Sequence, residues 1–433
     1  MVRDIRLANE LHGRGYPVHV WWTVDYPKRS GLRPGIKQHL LFNGLRYVRV
    51  GPFEWPRFVK DCVGRFAAHV LPDGFLSGLI QQRPWAVHAI CGGILRRVCQ
   101  GVEADGAVLR RFACQLSRHR VTHVLPMFAM LGQWVLDAGK LMDRRPRLLI
   151  TFQGYEVLAN YARLLGLEQS FYDRLRHIAL CSDFNPVVVS ADYASRVVQD
   201  LGLSPDSLSI IPPGIPIPPS CDRSHARSLV AAHFKHFRPE VPLVTYLGRI
   251  DAEKGVDLLL YAVFILRSRG IPLQLAVCGP TSHSSTYADA CRLIAENLRC
   301  PVLRTDFVPD GLRDAMYAAS HVVVYPSIHR EPFGMVPVEA MSFGTPVLVP
   351  DLGGTRDVVS LNGRTGGLIF RPCDSGHLAQ QLAALLTDQP LWQRLAAAAP
   401  VIASAYSIKI MTDRILRHLD LPVAPEGASA GNC

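Results

Sequence analysis

The segment Tyr325-Pro326-Ser327-Ile328-His329-Arg330-Glu331-Pro332-Phe333-Gly334 places a carboxylate just ahead of an expected helix over Val336–Phe343. Helix N-termini present N–H groups and partial positive charge, which suits a diphosphate. Pro337 in the first turn and Gly344 just past the end fit helix start and stop rules. Glu339 lies in the second turn, on the side of that entry. Two acceptor-only carboxylates, Glu331 and Glu339, suit the recognition of hydroxyls, as on a sugar and a ribose. A Glu pair eight residues apart is by itself common and mostly structural. The joint order of strand, Pro-Ser, Glu-Pro-Phe-Gly, Glu and then a strand into Gly353-Gly354 is far rarer.

A second loop, Gly248-Arg249-Ile250-Asp251-Ala252-Glu253-Lys254-Gly255, follows the strand-like run PLVTYL. It puts two cations, Arg249 and Lys254, at a strand end leading into a helix. Arg249 can fork onto phosphate oxygens and Lys254 can add a point charge. Two solvated loop cations are the plainer reading of the same residues. In open α/β sheets, however, ligands sit just past the carboxyl ends of strands.

These loops need strands and helices to hold them, and the chain alternates the two throughout. That alternation reads as α/β with parallel sheets. In the first half the expected strands are Pro17–Thr23, Val121–Leu125, Leu148–Phe152, Val187–Ser190 and Ser209–Ile211. Helices are expected over residues 2–13 and Ala191–Leu201. Five prolines between Ile211 and Pro219 can continue neither sheet nor helix, so a domain connection is expected there. The second half restarts with strands at Pro242–Leu247, Pro272–Val277, Val302–Phe307, His321–Tyr325, Pro346–Val349 and Gly367–Phe370. Helices are expected at Asp257–Arg269, Tyr287–Leu298, Leu312–Ala319, His377–Leu386 and around Ile408–Leu419. The expected domains are 1–215, a linker over 216–240, a second α/β domain over 241–405 carrying both loops, a C-terminal helix over 406–420 packing toward the first domain, and a loose tail over 421–433.

Composition sets outer bounds. With 433 residues, 48% hydrophobic and 19% charged, the chain can build two or three ordinary cores. The 11 cysteines form no CxxC pair, which argues against a zinc knuckle or a thioredoxin-type site. The first residues lack the basic-then-apolar layout of a secretory signal. A cytoplasmic protein is expected, with a peripheral seat on the inner face of the membrane as an extension. Of the net charge of +11, residues 1–220 carry +10, from 27 Lys and Arg against 17 Asp and Glu. Arg96-Arg97, Arg110-Arg111, Arg118, Arg120, Arg144, Arg145 and Arg147 contribute much of this. Such a half suits an anionic membrane surface; a solvated Arg-rich face explains it equally well. No aromatic-interleaved RNA motif or zinc finger points to nucleic acid.

From GRIDAEKG through CGP (Cys278–Pro280), DFVPDGLRDAMYAAS and YPSIHREPFGMVPVEAMSFGTPVLVPDLGG to TGGLIF, the second half resembles retaining glycosyltransferase family 4. The resemblance implies the GT-B architecture, two Rossmann-like domains facing a central cleft, and transfer of a sugar from a nucleotide-diphosphate sugar to a hydroxyl acceptor, as in surface polysaccharide or glycolipid synthesis. It implies that Arg249 and Lys254 bind the donor diphosphate and that Glu331 hydrogen-bonds the transferred sugar. Backbone amides of Phe333, Gly334, Met335 and Val336 would hold sugar and phosphate. Glu339 would take the ribose hydroxyls, and Phe307 and Val308 would lie beside the base. No metal and no cofactor are implied, and the sequence offers no DxD triplet.

The first half is similar more weakly, through LLITFQGYE (Leu148–Glu156) and Val189–Gly214. It departs from the family twice. Gln153 stands where the family usually has His, with Tyr155 and Glu156 as neighbouring candidates. Met1 falls directly on the first expected helix, so the family's opening strand and glycine-rich loop are expected to be missing, as from a start placed too late. These departures support an alternative, a catalytically impaired nucleotide-sugar-binding protein. Nucleotide-sugar epimerisation, on a similar scaffold, would not need the EPFG-to-Glu339 segment.

Overall fold

The computed structural model describes residues 2–22, 32–40, 106–126, 128–155, 159–160, 162–163, 166–218, 222–281, 285–306 and 308–423. The chain divides into two units. The first comprises Met1–Val188, Ala194–Ile210 and Arg414–Cys433; the second comprises Val189–Tyr193 and Ile211–Asp413.

In the first unit the described strands are β1 (His19–Trp22), β2 (Lys37–Leu40), β3 (His123–Val124), β4 (Arg147–Leu148), β5 (Thr151–Phe152), β6 (Val187–Val188) and β7 (Ser209–Ile210). The pairs β1–β2 and β3–β4 and the triplet β5–β6–β7 are all parallel. Helices α1 (Val2–Gly13), α2 (Gly106–Arg118), α3 (Gly132–Gly139) and α4 (Glu168–Leu180) accompany them, with α5 (Ala191–Leu201) from Ala194 onward. The expected single strand Leu148–Phe152 has different neighbours at its two ends. Leu149 N donates to Val124 O, whereas Ile150 O accepts from Val187 N. Asp183 braces this segment, accepting from Arg145 through both oxygens at 2.6 and 2.9 Å and from Leu148 N at 2.7 Å. Burial opposes its charged form, but Arg145 and the Leu148 amide hold the carboxyl below its usual range.

The second unit is built on one six-stranded sheet. Its strands are β8 (Leu243–Leu247), β9 (Gln274–Cys278), β10 (Val302–Thr305), β11 (Val322–Val324), β12 (Val347–Pro350) and, after the antiparallel hairpin β13 (Ser360–Leu361)–β14 (Arg364–Thr365), β15 (Gly367–Phe370). They lie in the order β10-β9-β8-β11-β12-β15, every pair parallel. Strands β8, β11 and β12 are buried along their whole length, as in a sheet covered on both faces. Helix α7 (Val256–Ser268) shows how the cover forms. Leu259, Leu260, Val263 and Leu266 recur at helical spacing and all are buried against Val244, Tyr246 and Leu275. Each such side chain contributes about 1.5–3 kcal/mol on burial. Helix α8 (Ser285–Asn297) follows β9, and α9 (Asp310–Ala319) follows β10. Helices α10 (Met335–Ser342), α11 (Gly354–Asp357), α12 (Ser375–Thr387), α13 (Gln389–Ser404) and α14 (Ile408–His418) complete the described chain.

The stretch expected as an open connection, 216–240, carries a helix between these two halves of the sequence. This is α6 in position: Arg223–His233, capped by Asp222, whose carboxylate accepts from Ser224 N and His225 N. Its arginines serve carbonyls at the end of α9. Arg227 donates to Ala319 O at 3.0 Å and Arg223 to Ser320 O at 2.7 Å. Helix C-termini leave such carbonyls without intrahelical partners, so the two arginines complete α9. The proline-rich run ahead of it is also fixed. Ile215 N donates to Tyr406 O, and Ile408 N donates to Ile215 O, both at 2.8 Å.

Removing Arg227 takes its donor from the half-buried Ala319 O. Arg227→Ala is expected to cost about 1–3 kcal/mol. The check is a lower urea midpoint with an unchanged slope.

Candidate functional site

The strand order decides where a ligand can sit. From β8 the chain steps outward through β9 to β10, then returns to the opposite side of β8 as β11. The loops after β8 and β11 therefore flank the point where the order reverses, the usual ligand crevice of an open parallel sheet. These are the Arg249–Lys254 loop and the Glu331 loop.

The two loops are tied together through one carbonyl. Glu253 O accepts from Ile328 N at 3.0 Å and from His329 N at 3.2 Å. Ser327 Oγ lies 3.0 Å from that oxygen, 3.1 Å from His329 O and 3.0 Å from Glu331 Oε1, and can donate its one proton to each in turn. Lys254 Nζ donates to Glu331 Oε1, and its charge lies 5.9 Å from the centre of the Tyr325 ring. The Tyr325 hydroxyl also bonds Glu331. Burial first, and the Glu331 charge second, hold that phenol well above its ordinary value, so it remains a donor. Arg249 pairs with Asp251 and with Glu253 Oε1, the latter at 2.7 Å. Burial works against the Glu253 carboxylate, but Lys254 and then Arg249 hold its acid below the usual range.

Helix α10 starts in this crevice. Gly334, at φ +96°, precedes it, and no side chain caps its N-terminus. Met335 and Val336 are half-buried at its start. Glu339 lies one turn on, where Tyr317 donates to its Oε2 at 3.0 Å. Burial and then the Glu339 charge keep the Tyr317 phenol far above its ordinary value. Burial works to lower Arg313, yet the charge of Glu339 and its Asp neighbours raise it, so a cation faces this carboxylate as well.

The Gly353-Gly354 turn presses on the Glu331 loop from the β12 side. Gly354 N donates to Glu331 O at 2.8 Å. Gly353 has φ +66° and ψ −162°, a region essentially reserved for glycine. A methyl group there would come within 2.6 Å of Glu331 O and 2.9 Å of Glu331 N. From the other side, Ser190 Oγ donates to Pro332 O at 2.6 Å and Arg330 forks onto Asp192, both partners lying in the Val189–Tyr193 segment of the same unit.

Of the residues singled out from sequence, Arg249, Lys254 and Glu331 are thus joined in one network, with Phe333, Gly334, Met335 and Val336 leading into α10 and Glu339 one turn further on. Val308 is half-buried just after β10. Phe307 and Glu156 lie outside the described residues. Gln153 belongs to the first unit, at the end of β5, in a hollow lined by Phe128, Ala129, Met130 and Tyr155. Tyr155 is buried there and donates to Asp200 at 2.9 Å. Sequence reasoning missed Tyr317, Tyr325, Ser327 and the Glu253 side chain. For Glu253 a signal existed, since it stands four residues after Arg249 and next to Lys254. Among the described residues no cluster of His, Cys, Asp and Glu could hold a metal ion, and no helix is long and apolar enough to cross a membrane.

Two α/β units of Rossmann type, the second with its ligand crevice at the strand-order reversal, define the GT-B architecture. Anabaena HepE, solved with UDP and glucose, matches over 97% of this chain and 95% of its own, with TM-score 0.68 and 15% identity. Sucrose-phosphate synthase from Thermosynechococcus elongatus matches over 97% and 92%, with TM-score 0.68 and 18% identity. At such identities the likeness is one of fold. Residues 231–401 match the family Glycosyl transferases group 1. D-inositol 3-phosphate glycosyltransferase of Nocardia farcinica is 32% identical over 230 residues, 51% of this chain and 49% of that one. Alpha-D-kanosaminyltransferase of Streptomyces kanamyceticus is 32% identical over 176 residues, 40% of this chain and 44% of that one. The chain spans about half the length of the curated relatives it matches.

The glycine turn is the part of the site most open to a stability test. Gly353→Ala is expected to cost about 1–3 kcal/mol or more, because crowding adds to the strained backbone. Gly363 also has positive φ, but a methyl group there meets nothing within 4 Å. Gly363→Ala should cost only about 1–2 kcal/mol. Equal losses in thermal or urea unfolding would show that the Glu331 loop yields to the added methyl.

Proposed function

We propose that this chain is a metal-independent, retaining glycosyltransferase of family 4. It would move a sugar from a nucleoside-diphosphate sugar to a hydroxyl acceptor, in polysaccharide or glycolipid synthesis. The observation that carries this reading is the Lys254–Glu331 pair at the strand-order reversal, beside the uncapped start of α10 and with Arg249 in the same network. Matches to glycosyltransferases over residues 231–401 support it.

In this reading Arg249, Lys254 and the α10 N–H groups stabilise the charge that develops on the departing diphosphate. Glu331, held by Lys254, Ser327 and Tyr325, accepts from a hydroxyl of the transferred sugar. Glu339 accepts from the ribose hydroxyls. Val308 and Phe307 border the base. The bond from the sugar's anomeric carbon to the phosphate oxygen breaks as the acceptor oxygen bonds to that carbon from the same face. The acceptor's proton passes to the leaving phosphate oxygen. Glu331 is then a positioning group, without a covalent step of its own. Gln153 is the first unit's candidate for a neutral hydrogen bond to the sugar. The exposed arginines of α2, Arg110, Arg111 and Arg118, with Leu109, Phe112 and Leu116 buried opposite them, favour a peripheral seat on an anionic membrane.

A panel of UDP, GDP, ADP and their sugars in thermal unfolding gives the first test. A true ligand at about 100 times its Kd adds roughly 2.7 kcal/mol of stability. No shift with any of them counts against the donor site. Glu331→Ala should then lower slow donor hydrolysis or transfer by about 10²–10³, while Glu339→Ala weakens nucleotide binding roughly ten- to a hundredfold. Binding without turnover, even with acceptor extracts, would favour the impaired nucleotide-sugar-binding protein, for which Gln153 is the support.

A further inference from the structure

Both cations of the candidate phosphate site are already engaged by carboxylates of this chain. Arg249 pairs with Asp251 and, at 2.7 Å, with Glu253. Lys254 pairs with Glu331 and lies 3.6 Å from the same Glu253 oxygen. Two cations thus stand among three carboxylates, and the cluster is net negative. A diphosphate brings at least two further negative charges, and like charges within about 4 Å repel strongly in a partly buried site. It can take over these cations only if a carboxylate withdraws.

The three carboxylates are not equally able to do so. The side chains of Asp251 and Glu331 are 5% and 13% exposed, and withdrawing either would strand a buried charge. The Glu253 side chain is 33% exposed. Its backbone is pinned through its carbonyl by Ile328 N and His329 N, so the loop stays in place while the carboxylate turns to water. The groups facing that carboxylate are Arg249, Lys254 and, more distantly, His329.

We propose that Glu253 is a displaceable internal counter-anion and a specificity-determining residue of the donor site. This rests on the donor reading above. Its carboxylate holds Arg249 and Lys254 until a ligand replaces both contacts at once. A diphosphate offers oxygens on two phosphorus atoms and can reach both cations. A single phosphate can face both cations, as the one Glu253 oxygen does, but with less charge and fewer oxygens it replaces those contacts less completely. The residue therefore raises the threshold for weak phosphate ligands while a diphosphate still enters.

The experiment is calorimetric titration of the full chain and of Glu253→Gln with inorganic pyrophosphate and inorganic phosphate. Glutamine keeps the shape and a hydrogen bond to Arg249 but removes the charge; Glu253→Ala is the second variant. The variants are expected to bind pyrophosphate about tenfold more tightly, a gain of about 1.4 kcal/mol. Phosphate should gain more than pyrophosphate, so that the preference for pyrophosphate narrows; an unchanged or wider preference overturns the specificity role. Unchanged or weaker pyrophosphate binding by the variants overturns the proposal, weaker binding meaning that Glu253 holds the cations in place for the ligand. The donor reading fails separately, if neither wild type nor variants respond to UDP-, GDP- or ADP-sugars.

Discussion

The reversal of strand order beside β8 is the constraint on which the second unit depends. A parallel sheet can leave a crevice at its carboxyl edge only where successive crossovers depart in opposite directions. Here that place lies between β8 and β11, whose pairing sets Val322 against Val244 and Val323 against Thr245. Both strands are fully buried on both faces, so a slip would have to repack closely fitted side chains on each side of the sheet. The fixed register brings the loop of residues 248–255 beside the loop of residues 325–334. The two backbone hydrogen bonds from Ile328 N and His329 N to Glu253 O lock them there.

The site built on this frame is poor as a stabilising device. Lys254 and Glu331 are both mostly buried, and taking such a pair from water offsets much of its attraction. The surrounding hydroxyls of Tyr325 and Ser327 satisfy the carboxylate, and Asp251 and Glu253 satisfy Arg249. An apolar core of the same volume would be at least as stable. Charge is concentrated here although the neighbouring strands are as apolar as the sequence allows, and such local departures from the best-folding choice are where function is expected.

Much of this was legible in the sequence. Pro242–Leu247, His321–Tyr325 and Pro346–Val349 read as strands because short apolar runs suit a parallel sheet covered on both faces. The Gly248–Gly255 and Tyr325–Gly334 loops stood out because Arg, Lys and Glu sit at strand ends. The expected helix over Val336–Phe343 lies one residue along from α10. Other features depend on contacts distant in sequence. Helix α6 was hidden in a polar stretch because its reason for being is the carbonyls of Ala319 and Ser320, some ninety residues away. Helix α13 was unread because Pro400 interrupts an alanine-rich run that gives little periodicity. The split of Leu148–Phe152 between two partners follows from tertiary pairing and leaves no mark in its composition. The carboxylate of Glu253 lay between two residues that were noticed, but its pairing with both depends on the 3-10 turn at Ala252–Lys254.

The division of helix α14 has a bearing on how the protein is made. Residues up to Asp413 go with the second unit, whereas Arg414 onward goes with the first. His418 bonds Asn185 O, and Asp420 pairs with Arg147. During synthesis the amino-terminal half leaves the ribosome long before these partners exist. Domains generally fold as units in the order of their synthesis, but here the first unit stays unfinished until the whole of the second has been translated. The half that is made first is completed last.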